Sequence, residues 1–316
     1  MATQYKKMIP WAGWSSLVVV VFTQMLLMVY CHADELPRRE GRLIMGFYSH
    51  SMSEMANRSD IEVSLNFWAK ELLAEESKKM NIHLKETGAI LFDTVEDMHD
   101  AMLRGELDMV VGPPLLLARY FKRTELTDGF TGMLAKQKWD DILLIARTDK
   151  NIAGVKDLRD KKFLMLENDE LAEIFIDTLF LKQFHKGYQN IVSTVQNQKK
   201  ASRIVLDIFF NKADAGVVYR NAYEVTVELN PEIASKIIIL EYYPIKSRNF
   251  SYFVHGWPFA DDLTTVAVTS LKDSVKARQI LDVFKTPELG ICKVNELDGF
   301  QKFYTDYLKL KRTAGR

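Results

Sequence analysis

Cysteine is nearly absent from this chain: there are two among 316 residues, Cys31 and Cys292. No disulfide framework is available, so the fold has to rest on an apolar core. Charge of one sign is lacking too. Lys and Arg total 42 and Asp and Glu total 42. Without a basic excess there is no case for a nucleic-acid partner. Phosphate-binding Gly-rich loops, G-x-S-x-G and His-Glu-x-x-His are missing, and the six His residues are scattered without metal-ligand spacing. No catalytic constellation, metal or cofactor is implied. Cys292 has no neighbouring His and reads as a small, semi-buried residue.

Long apolar runs are equally scarce, with one exception. Leu17 to Tyr30 is interrupted only by Thr23 and Gln24, follows Lys6 and Lys7, and ends in Cys31-His32-Ala33 before Asp34-Glu35. A basic start, an apolar middle and a small residue at the end read as a signal peptide over 1–33, cut after Ala33. An uncleaved membrane anchor is the alternative, since Trp11 to Tyr30 is nearly long enough to span. Removing 1–33 takes two lysines and no acid, leaving 40 − 42 = −2.

The remaining chain is organised around Ala101 to Leu115, AMLRGELDMVVGPPL. Asp97 to Leu103 has helical spacing, capped ahead by Thr94. Gly105 stands where a left-handed residue ends a helix. Leu107 and Met109 to Val111 form a continuous apolar run, as a parallel strand buried on both faces requires. Gly112-Pro113-Pro114 stops it, because proline cannot extend a central strand. Val205 to Tyr219, VLDIFFNKADAGVVY, repeats the grammar: Asn211 replaces Gly105, Asp214 replaces Asp108, and Ala215 to Val218 is the strand. Two copies predict two similar α/β lobes. Strands are also expected at Arg42–Tyr48, within 81–91, and at 141–147, 162–166, 191–195, 237–243 and 251–255. Residues 121–138 read as linking sequence, and the chain from Asp261 reads as mostly helical. Strands 141–147 and 251–255 read as the crossovers. Lobe 1 is then 34–147 plus 247–316, and lobe 2 is 148–246. Ligands of such folds sit at strand ends, in the cleft that hinge closure shuts.

Candidate site residues follow from that placement. Tyr48, Ser49 and His50 end the first strand; Gly112 and Pro113 expose backbone at the end of the central one. Tyr219 and Arg220 end its counterpart, and Arg220 suits a bidentate contact to an oxyanion. Asn168-Asp169-Glu170 caps the helix after 162–166, and Lys199, Lys200 and Ser202 lead into the next; the resemblance given below is what makes Asn168, Asp169, Lys200 and Ser202 candidates, with the two lysines supplying positive charge.

Five segments in order resemble the type 2 periplasmic solute-binding proteins, in the phosphate/phosphonate-binding branch of ABC transporters. They are GFYSHS (46–51), RGELDMVVGPP (104–114), GVKDLRDKKFLM (154–165), ADAGVVY (213–219) and DGFQKFYTDY (298–307). The resemblance implies a two-lobed Venus-flytrap fold and capture, without chemistry, of a small anionic, phosphonate- or phosphate-like ligand. It also implies delivery to an inner-membrane ABC permease; a periplasmic partner of a membrane signalling receptor is the alternative. One difference stands out. The family places a Ser/Thr-rich turn at the helix start after the 162–166 strand, where hydroxyls, amides and the helix dipole hold the anion. This chain has Asn168-Asp169-Glu170. At ~4 Å and an effective dielectric of ~20, each carboxylate–anion pair costs about 4 kcal/mol. The two acids either cap the helix or face a cationic or zwitterionic ligand.

Overall fold

Alternation sets the first strand: Leu43, Met45 and Phe47 are buried along one face of it while Arg42 and Ile44 are only partly covered. The computed structural model describes residues 39–51, 58–133, 139–270, 275–283 and 288–314. The expected signal segment 1–33 lies outside the described residues. Among these, no helix is long and apolar enough to cross a membrane.

In chain order the elements are β1 (Arg39–Tyr48), α1 (Arg58–Phe67), α2 (Ala74–Lys78), β2 (Ile82–Phe92), α3 (Val95–Leu103), β3 (Met109–Gly112) and α4 (Pro114–Tyr120). Then come β4 (Leu126–Met133), β5 (Ile142–Arg147), β6 (Lys162–Leu166), α5 (Glu170–Phe184), β7 (Thr194–Gln198), α6 (Ala201–Phe209) and β8 (Ala215–Tyr219). The rest are α7 (Arg220–Leu229), α8 (Glu232–Lys236), β9 (Ile237–Tyr243), β10 (Phe250–Val254), α9 (Ala260–Thr265), α10 (Val275–Val283), β11 (Glu288–Cys292) and α11 (Leu297–Ala314).

The strands form two sheets, ordered β11-β4-β10-β3-β1-β2 and β7-β6-β8-β5-β9. Apart from β11 they share one plan. β1 is parallel to β3 as β6 is to β8; β10 is antiparallel to β3 as β5 is to β8; and β4 flanks β10 as β9 flanks β5. The duplicated sequence grammar explains this to the atom. The Asp108 amide donates to the Ile44 carbonyl at 2.8 Å, and its Oδ2 accepts from the Ile44 amide at 2.8 Å. The Asp214 amide donates to Lys162 O at 3.0 Å, and its Oδ2 accepts from the Lys162 amide at 2.9 Å. Each carboxylate thus starts its central strand by pinning the strand beside it. Arg42 neutralises the first with two bonds of 3.0 Å, and Lys150 the second at 3.4 Å. Gly105 and Asn211 are both left-handed, with φ of 75° and 60°.

Four readings of the sequence need correction. Residues 121–138 are not simply linking: β4 runs through them, between β10 and β11. Gly129 is there because a Cβ would strike the Ser251 carbonyl oxygen, where the β4–β10 register shifts. Strand β5 does not end the first sheet but lies inside the second, between β8 and β9. The strand placed at 191–195 runs instead at 194–198, because Tyr188–Asn190 form a helical turn that uses residues ahead of it. The stretch after Asp261 contains β11, too short and Gly-interrupted to show a strand period.

Both faces of the first sheet are covered. Leu43, Met45, Phe47, Met109, Val111 and Phe130 pack with Leu65, Trp68 and Leu73. On the other face, Val110, Leu115, Phe250 and Tyr252 join one apolar cluster that runs on into the second sheet. α11 completes that junction by packing on α4 and on α5. The Tyr307 hydroxyl donates to buried Asp177 of α5 at 3.0 Å, and Phe303 lies 4.5 Å from the Tyr243 ring.

Candidate functional site

The carboxyl ends of the parallel strands from both sheets converge on one cavity of about 410 Å³. Tyr48, His50 and Ser51 come from the end of β1, and Pro113, Leu115 and Leu116 from the turn joining β3 to α4. Leu166 to Leu171 come from the turn joining β6 to α5, with Lys199 after β7, Tyr219 at the end of β8 and Arg248 just before β10. Pro113 and Pro114 end β3, and the loops that follow the other parallel strands open on the same cleft.

On the first wall, the Tyr48 and His50 rings stack at 5.3 Å. Burial, then the charge of Glu170, holds the Tyr48 phenol above its ordinary range, so it is a neutral donor. On the second wall, Asn168 is left-handed (φ 56°), which turns the chain sharply into α5. Asp169 caps that helix: its Oδ1 accepts from the Ala172 amide at 3.1 Å and from the Tyr219 hydroxyl at 3.1 Å. Desolvation, reinforced by Asp169, pushes the Tyr219 phenol well above its ordinary range, and the Arg248 guanidinium lies 4.4 Å over that ring. Glu170 is ion-paired to Arg119, which itself stacks on Tyr304 at 4.4 Å. Glu167 and Lys199 are exposed.

Of the residues singled out in the sequence, Tyr48, His50, Pro113, Asn168, Asp169, Glu170, Lys199 and Tyr219 line the cavity. Five others do not. Ser49 turns aside and donates to Asp93 at 2.8 Å. Gly112 is buried behind Tyr48, whose Cβ would stand 3.5 Å from a Cβ at 112. Lys200 only precedes α6, and Ser202 points to solvent from it; the later start of β7 brings Lys199 to the cavity instead. Arg220 is engaged with Asp141 Oδ2, at 2.9 Å from Nε and 2.7 Å from Nη2. Sequence reasoning missed Ser51, Glu167 and Arg248. Arg248 sits in a polar turn with no local motif, and only the return of the chain into β10 carries it to the cleft. Among the described residues, no group of three His, Cys, Asp or Glu is placed to hold a metal.

Residues 85–260 match the family described as the periplasmic substrate-binding protein of phosphonate ABC transporters. That is more than half of the chain. This protein belongs to that family. None of the curated proteins matches the sequence, but solved structures share the fold. The binding-protein component of an ABC phosphonate transporter from Pseudomonas aeruginosa superposes with a TM-score of 0.60 at 10% identity, over 88% of this chain and 89% of that one. PhnD1 of Prochlorococcus marinus, solved with methylphosphonate, gives 0.58 at 14% identity, over 84% and 98%. A Xanthomonas citri protein bound to ATP gives 0.59 at 11%, over 85% and 98%. At such identities the likeness establishes the fold: two lobes, one to each sheet, in the type 2 periplasmic-binding-protein arrangement. The family is one of transport components rather than of enzymes, periplasmic and working with ABC transporters.

Proposed function

We propose that this protein captures a small, phosphonate-like solute in the cleft between its lobes and presents it to an inner-membrane ABC permease, without chemical change. The observation that carries this is the convergence of β1 and β3 with β6 and β8, all by their carboxyl ends, on one cavity. The chain crosses between the sheets twice, after β4 and before β10. The lobes divide there: the second takes β5 through β9, close to residues 148–246 with β5 added, and the first takes the remainder. Tyr48, His50, Pro113, Asn168, Asp169, Tyr219, Lys199 and Arg248 contact the solute. Export depends on the segment 1–33.

The test is thermal unfolding of the chain from Asp34 onward with phosphate, phosphite, alkylphosphonates, sulfonates, amino acids and polyamines. A ligand at 100 times its Kd stabilises by about 2.7 kcal/mol. That ligand should also shrink the radius of gyration in solution scattering. No stabilisation by any compound, and no compaction, refutes the reading.

A further inference from the structure

Glu170 brings a negative charge to the wall of the cavity, from the first residue of α5 in the second lobe. That charge reaches across the cleft. It helps to hold the Tyr48 phenol of the opposite wall above its ordinary range, and it acts on Tyr120 as well. Unopposed, it would repel an anionic solute placed between the lobes. Arg119, near the end of α4 in the first lobe, opposes it: its Nη1 donates to Glu170 Oε1. The guanidinium is held in place for this, 4.4 Å from the Tyr304 ring of α11 and 5.4 Å from the ring of Tyr120. Glu170 lines the cavity, whereas Arg119 stands behind it.

Resting on the capture reading above, we infer that Arg119 is a positioning residue for capture: from the opposite lobe it pairs with Glu170 and cancels a charge that would turn an anionic solute away. The neighbouring acids have other arrangements. Asp169 spends Oδ1 on the Ala172 amide and the Tyr219 hydroxyl, and Glu167 is exposed to water, where its charge is screened. Because the cation that meets Glu170 comes from outside the cavity, Lys199 and Arg248, which line it, are left to face the solute. An arginine suits the place, since its planar fork can hold a carboxylate while its face lies on an aromatic ring.

Calorimetric titration with methylphosphonate tests it, at ~20 mM salt, where charges act furthest. Arg119→Gln should weaken binding at least about fivefold, because Glu170 then meets the solute unpaired. Glu170→Gln alone should bind as tightly as the wild type or more tightly. Adding Glu170→Gln to Arg119→Gln should bring the affinity back to within about twofold of the wild type. The loss in Arg119→Gln should also shrink at ~0.5 M salt, which a packing defect would not do. An unchanged affinity in Arg119→Gln, or no recovery in the double variant, overturns the inference. So does a loss above about threefold in Glu170→Gln, which would make the pair a structural tie; this arm decides even if Arg119→Gln does not fold. If the wild type does not bind methylphosphonate but the thermal panel finds another ligand, the inference fails and capture stands; if the panel is also blank, both fail.

Discussion

Asp140 should make the stability of this protein fall as pH rises from acid to neutral. It lies just before β5, where the chain crosses into the second sheet, and is 8% exposed. Its Oδ1 accepts from the Asn221 amide at 2.8 Å. Burial pushes its carboxyl up from 3.8 to about 6; the Asn221 bond and the charge of Arg248 oppose the rise, while Asp141 and Glu224 add to it. A folded-state value above the unfolded one means that the folded protein holds the proton longer. Its contribution is complete below about pH 3.8 and is lost as pH climbs through about 6. The gap, 6 − 3.8 ≈ 2.2, corresponds at 1.36 kcal/mol per unit to about 3 kcal/mol. Asp140→Asn stays neutral and still accepts from Asn221. Carboxylates away from this corner titrate alike in both proteins, so the difference between them isolates Asp140 together with its coupling to Asp141 and Glu224. Urea unfolding followed by tryptophan fluorescence at several pH values measures it. The variant should gain on the wild type by about 3 kcal/mol between pH ~3.5 and ~7.5. A difference that stays flat to within about 0.5 kcal/mol would show that Arg248 fully compensates the burial, and the reasoning would be wrong.

The paired carboxylates give a second expectation. Asp108→Ala and Asp214→Ala should each cost about 1–3 kcal/mol, because each strands the amide of Ile44 or Lys162; the two losses should add, since the residues serve different sheets. A negligible effect from either would break the claimed equivalence of the lobes. Cys292 gives a third. Its thiol is fully buried, donates to the Tyr252 hydroxyl at 3.1 Å, and is pushed up mainly by burial. In the chain from Asp34 onward, iodoacetamide should label it at least about a hundredfold more slowly under native conditions than in urea. Comparable rates would mean that the β11 edge opens freely.

Much of this was legible locally. Left-handed Gly105 and Asn211, the Thr94 cap, which accepts from the Asp97 amide at 3.1 Å, and the Asp169 cap are each written within a few residues of chain. So are β1, β3, β6 and β8, whose buried runs and abrupt stops show in any window of ten residues. What failed depended on partners far away in sequence. β4 looked like a linker because Gly129 and Asp128 dilute its apolar pattern, yet that Gly answers to Ser251, and Asp128 accepts from the Val294 amide at 2.7 Å. Arg220 looked like an oxyanion ligand until Asp141, 79 residues earlier, claimed it.

The sequence by itself determined most of the elements, the duplicated plan and the strand ends that line the cleft, because caps, buried runs and prolines act over one or two turns of chain. Only the tertiary structure decided which charges remain at the cleft. Pairing is a contest between groups brought together from distant segments: Arg119 takes Glu170, Asp141 takes Arg220, Asp93 accepts from the Ser49 hydroxyl, and one Asp169 oxygen is left without a partner among the described residues.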